Sequence, residues 1–263
     1  MNYDFHTHST YSDGHVLKSM AGAADRLGLE KLGVTDHCNV SDRSEVQDLN
    51  IELGFNLDQT YRRRKKALKL LNKEFDVELL DAVEMDFHPD DMDRITEFLD
   101  KAGFQYSIGS VHRIDNLNLQ VESLFTSMGR SRRRSIVERY FERQRKLIES
   151  EVFDIVSHID LVERNRHLRG LARRKDYIKL LEALKESGTV PEINAGRINR
   201  GLKEFHPTDE LLNLIKSEGL PVTLGTDSHR PSHIENRMPR IRDKVKEKGL
   251  ELTSPEVREF TES

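Results

Sequence analysis

Cysteine is almost missing from this chain. Cys38 stands alone among 263 residues, which excludes an internal disulfide and fits a reducing compartment. No apolar run approaches the length of a membrane span. The opening MNYDFHTHST is neither a secretion signal nor a transit peptide, so the expectation is a soluble cytoplasmic protein. A Pro/Gly/Ser-rich linker and low-complexity tracts are also lacking. Nor is there an excess of one charge: 42 Lys and Arg face 46 Asp and Glu, for a net charge of −4. That balance argues against duplex binding as the main business, because neutralising phosphates needs a clear basic excess.

What is there is an alternation. Short apolar runs alternate with longer amphipathic ones. Strands are expected at 3–8, 31–36, 77–86, 106–112, 154–158, 190–194 and 221–227. Helices are expected at 16–27, 57–75, 90–102, 131–150, 175–187, 209–217 and 233–248. Each strand is followed by a helix, which implies a parallel sheet. Seven repeats in 263 residues, 36% of them hydrophobic, read as a single domain over 1–263 and as a closed α/β barrel. In such barrels the active site lies at the C-terminal ends of the strands.

The stretch DFHTHSTYSDG places His6 and His8 two residues apart, a spacing that on a strand turns both rings to one side. Two solvated histidines at a polar strand end are an equally good reading of that pair alone. The other strand ends decide between them. They carry TDH (His37), AVEMD (Glu84), GSVH (His112), VSH (His158), EIN (Asn194) and GTDSH (Asp227, His229), and Asp13 follows in the first loop. With His6 and His8, six of the eleven histidines fall at strand ends, as surface histidines would not. The pattern points to a metal site at the barrel mouth. Cys38, beside His37, should point the other way and be a small core residue.

These segments, in order, resemble the polymerase and histidinol phosphatase (PHP) family. The match runs from the first strand to about Arg230, and the stretch from AVEMDF to GSVHRID is similar to the histidinol-phosphatase branch. The resemblance implies a distorted (β/α)7 barrel holding three divalent ions of zinc, manganese or iron. It assigns one ion to His6, His8, Glu84 and Asp227, a second to Glu84, His112 and His158, and a third to Asp13, His37 and His229. Glu84 then bridges two ions, and Glu84, Asp227 and His229 stand nearest the chemistry. The implied reaction is hydrolysis of a phosphomonoester, L-histidinol phosphate first among candidates. Carboxylate and imidazole donors suit hydrolytic metals better than soft sites do.

Phosphate also calls for arginine forks. Candidates at the mouth are Arg113, Arg164, Arg197, Arg200 and Arg230. Arg197 and Arg113 are taken as substrate-binding, with a plain surface role the alternative for Arg197. Asn194 could hydrogen-bond the substrate or simply close its strand, the second reading being preferred. Arg113 stands where the branch commonly has an aromatic, so the loop after it should shape the pocket. The basic runs YRRRKKALK, GRSRRRSIVERYFERQRK and RNRHLRGLARRK read as solvated helix faces with Glu–Arg pairs rather than an anion-attracting rim. His15, His88, His167, His206 and His233 read as ordinary polar residues. Other functions to weigh are a phosphoesterase acting on nucleotides or single-stranded 3′ ends, and a non-catalytic metal-binding module. The expected partner is a small phosphorylated substrate, with no membrane and no nucleic acid.

Overall fold

The computed structural model describes residues 2–197 and 204–261. In chain order its elements are β1 (Tyr3–Thr7), α1 (Leu17–Arg26), β2 (Lys31–Val34), β3 (His37–Cys38), α2 (Ser44–Leu53), α3 (Leu57–Leu71) and β4 (Glu78–Asp86). Then come α4 (Met92–Ala102), β5 (Tyr106–Ser110), β6 (Arg113–Ile114), β7 (Leu117–Asn118), α5 (Arg130–Glu149) and β8 (Ile155–Val156). The chain closes with α6 (Arg174–Glu186), β9 (Val190–Asn194), α7 (Asp209–Ser217), β10 (Thr223–Gly225) and α8 (Pro231–Lys248).

The main sheet runs β1-β2-β4-β5-β8-β9-β10, with β3 also on β4. Its ladders are parallel, as strand–helix alternation demands. The ring closes at a seam between β10 and β1. There Asp227 N donates to His6 O (2.8 Å), His8 N donates to Ser228 O (2.9 Å), and the Asp4 carboxylate accepts from Thr226 N and Oγ1. The fold is a distorted (β/α)7 barrel.

Strand periodicity sorts the side chains. Along β4, Leu80 and Ala82 join Phe5, Tyr106, Ile108 and Ile155 in an apolar filling made of strand residues alone. Leu79, Val83 and Met85, on the opposite face, pack in the larger cluster with the helices. Two steps on from Ala82, Glu84 therefore lies directly above the filling. Tyr106 reaches across the barrel to donate to Phe5 O at 2.7 Å, and this requires Gly33, where a Cβ would sit 1.6 Å from the tyrosine oxygen. Helices cover the outside by one apolar face each: α4 buries Ile95, Phe98 and Ala102, spaced for one stripe.

The expected second strand is broken. Thr35 and Asp36 interrupt it, and β3 restarts on β4 with His37 beside Glu84 in register. Helix α2 and the β6–β7 hairpin occupy segments expected to be loops. The run YRRRKK does not lie wholly in solvent: Arg62, Arg63 and Lys66 are exposed, but Arg64 and Lys65 are buried. Arg64 donates to Asp36 (3.0 Å) and Asp81 (2.7 Å) beneath the mouth. The run in α5 is a paired surface, with Arg145 bridging Glu142 and Glu149.

Candidate metal centre

All nine expected donors meet at one end of the barrel, and each arrives there for a local reason. A register irregularity in β1 between Asp4 and Thr7 re-aims the chain at His6, as bulges beside active sites do. His37 is placed by its pairing with Glu84. His158 and Asp227 hold backbone φ angles of +24° and +50°. That region is strained for residues other than glycine, and such strain is retained where surrounding structure over-determines it.

Glu84 is the hub. Its Oε2 lies 2.8 Å from His37 Nδ1, 3.3 Å from His6 Nε2 and 3.5 Å from His8 Nε2. Its Oε1 lies 3.1 Å from His158 Nε2 and 3.5 Å from His112 Nε2 and accepts from Ser110 Oγ. Asp227 Oδ1 is 3.4 Å from His8 Nε2 and 3.5 Å from His229 Nδ1. Asp13 Oδ1 is 3.3 Å from His229 Nε2 and 3.8 Å from His37 Nε2. Three groups bring their donor atoms within 4.8 Å of one another: His6–His8–Asp227, His37–Glu84–His112, and His8–Asp13–His37–His229.

The electrostatics follow from this crowding. Burial would raise the Glu84 carboxyl, but His37, His6 and His112 hold it well below the usual range. Burial would depress His6, yet Glu192 and Glu84 lift it well above the ordinary value. His8, buried and facing His37 and His229, falls to about 4, which keeps its imidazole neutral and fit to be a ligand. The carboxylates thus favour positive charge at this spot.

The donor set fits divalent cations. His6 Nε2 and His8 Nε2 face each other at 3.1 Å, an arrangement natural for two lone pairs converging on one cation. Among the described residues, His8 Nδ1 is buried with no hydrogen-bond partner, and an orphaned buried atom calls for a ligand.

Other expectations meet the structure differently. A cavity of about 400 Å³ over the centre is lined by Arg164 and Arg230, while Arg113 lines an adjoining one. Arg197 is neither a surface residue nor part of that wall. It is buried, and its Nη2 donates to Glu163 O and pairs with Glu204 at 3.0 Å, while Nε and Nη1 have no hydrogen-bond partner among the described residues. Arg200 lies outside the described residues. Asn194 closes its strand, bonded through its backbone to His206 and through Oδ1 to Gly196 N. Cys38 is a buried free thiol among core residues. His206 is no ordinary polar residue: it is buried with its Nδ1 2.6 Å from Asp160. His233 lines the cavity. Asp36, the middle residue of TDH, has no role assigned from the sequence, yet it accepts from Ser9 and Ser12 and anchors the loop that presents Asp13. Only its place before His37 pointed to it.

A barrel with imidazoles and carboxylates gathered at one mouth is of the metal-binding kind. Residues 4–196 match the PHP domain family, and the chain belongs to that family. Asp227 and His229 lie beyond the matched stretch. Among curated relatives, a probable histidinol-phosphatase of Deinococcus radiodurans is 27% identical over 173 residues, covering 63% of this chain and 62% of that protein. One from Thermotoga maritima is 25% identical over 252 residues, covering 94% and 93%. The histidinol phosphate phosphatase of Lactococcus lactis, crystallised with zinc, L-histidinol and phosphate, has the same fold: the TM-score is 0.79 at 21% identity, over 97% of each chain.

Proposed function

We propose that this metal-dependent phosphatase hydrolyses L-histidinol phosphate to L-histidinol and phosphate, using three divalent ions of zinc, manganese or iron. One observation carries the reading: nine donors from seven separate strand ends and loops converge around Glu84. His6, His8, Glu84 and Asp227 would hold one ion. Glu84, His112 and His158 would hold a second, and Asp13, His37 and His229 a third. Bound there, divalent ions neutralise phosphoryl charge and acidify water.

The chain's own groups do the rest. Arg164 and Arg230 line the cavity where the phosphate oxygens would sit. Glu84 forms its floor, with Asp227 and His229 on its wall. Water attacks phosphorus opposite the leaving oxygen, the ester P–O bond breaks, and the alkoxide leaves with a proton as L-histidinol. An adjoining chamber of about 280 Å³ is lined by Leu49, Leu53 and Phe55 together with Asn39, Asp86 and Gln120. It offers a ring-bearing ammonium group both apolar and acidic walls, and its size suits a small molecule rather than a polymer.

We read 1–263 as one domain. In support, Val257 packs on the barrel filling and Arg258 pairs with Asp154 at 2.9 Å. A reducing cytoplasm suits the unpaired Cys38. A panel of histidinol phosphate, nucleoside monophosphates and single-stranded oligonucleotides, assayed for hydrolysis with added manganese or zinc, tests the substrate. Histidinol phosphate should show the highest kcat/KM. Inert histidinol phosphate beside rapid cleavage of a nucleotide or a strand end would overturn the assignment.

A further inference from the structure

Below the donor cluster lies a carboxylate that belongs to none of the three groups. Glu192, on β9, is completely buried. Its Oε1 is 2.8 Å from His6 Nδ1. Its Oε2 accepts from His158 N at 3.3 Å and from Asn194 Nδ2 at 2.9 Å. It therefore touches two histidines assigned to different ions. The fold makes room for it at some expense: a Cβ at residue 225 would stand 1.6 Å from Glu192 Oε1 and 2.6 Å from His6 Cβ, so only glycine serves there.

A carboxylate is acceptor on both oxygens. Paired with Glu192, His6 must keep its proton on Nδ1, which leaves the Nε2 lone pair facing His8 and Glu84. The bond to His158 N steadies the backbone of a residue held at positive φ. We propose that Glu192 is the positioning residue of the metal centre, fixing the His6 tautomer and the His158 backbone so that both imidazoles face the cations. The proposal rests on the metal reading above but not on the identity of the substrate.

Glu192→Gln is the informative change. The carboxamide has nearly the same shape, but its NH2 must face either His6 Nδ1–H or the two donors on the Oε2 side. A carboxylate that merely fills space would tolerate this. A positioning residue would not, and loss of such a partner weakens metal binding by about 10- to 100-fold. The measurement is zinc binding to the metal-stripped full-length protein by chelator competition, wild type against Glu192→Gln, with helicity as a check on folding. The expected result is at least one class of zinc site weakened about 10- to 100-fold in a folded variant. Zinc affinity within about threefold of wild type would overturn the proposal. If the variant does not fold, nitrogen NMR of histidine-labelled, zinc-loaded wild type decides: His6 should carry a slowly exchanging proton on Nδ1, and a proton on Nε2 refutes the assignment. Wild type that binds zinc and hydrolyses histidinol phosphate while Glu192→Gln binds zinc equally well would sink this inference alone. Zinc effects without histidinol phosphate hydrolysis would sink only the substrate reading.

Discussion

Glu84 concentrates the chemistry of the centre in one carboxyl group, five imidazoles having a ring nitrogen within 3.5 Å of it. Glu84→Gln keeps the shape and removes the charge that holds those rings inward. Activity should fall by roughly 100- to 1000-fold, the scale of losing one preorganised charge-stabilising group, and the metal content of the purified protein should fall with it. The metal-free variant should still fold, because the apolar filling beneath is untouched, but at pH 7 it should unfold at a lower urea midpoint than the metal-free wild type, since the imidazoles that hold Glu84 ionised lose their counter-charge. Near-normal turnover would show that the hub lies elsewhere.

Elements explain what the sequence could and could not disclose. The alternation of strands and helices was legible because period 2 and period 3.6 are local records of which face is apolar. The metal-capable residues were legible because a parallel barrel puts every strand end at the same rim, so six separate short segments share one meaning. Arg64 was not legible. A cation inside a basic run looks solvated, and its partners Asp81 and Asp36 lie 17 and 28 residues away along the chain. The same applies to Arg197, whose partner Glu163 O is 34 residues distant, and to His206, buried by Asp160 at a separation of 46. Helix α3 is tied to the barrel through Arg64, and Arg64→Met would leave Asp36 and Asp81 without their buried cation. That should cost about 3–5 kcal/mol in urea denaturation, and a loss under about 1 kcal/mol would show that Lys65, 3.7 Å from Asp81, suffices. Between α7 and α8 the electrostatics are those of a surface. Asp209 is held below the usual carboxylate range by its hydrogen bond from Lys244, against a small opposing effect of burial, with help from Lys248. A depressed folded-state value contributes stability above the unfolded value and loses it as pH falls through the folded one. Asp209→Asn should therefore lower the urea midpoint slightly at pH 7 and at pH 5, with the gap closing below about pH 4. A gap that widens toward acid would contradict the pairing.

At the scale of the whole molecule, divalent ions held as proposed, by donors from both ends of the chain, would bind the folded state and not the unfolded one. Stripping them should lower the melting temperature, and restoring zinc or manganese should raise it in proportion to the logarithm of free metal. The gain is about 4 kcal/mol at a thousandfold excess over Kd. A melting temperature indifferent to metal would contradict the centre. The seam gives this coupling a direction. Between β10 and β1 the backbone is joined near Asp227–His6 and Ser228–His8, and the side chains of His6, His8, Asp227 and His229 stand on the two sides of that join. Any cation they share would be a clasp across the one joint that, among the described residues, lacks a regular ladder. Holding the clasp and holding the ring then become one equilibrium, so whatever loosens the join between the first and last strands should loosen the ion shared across it, and that ion should in turn steady the join.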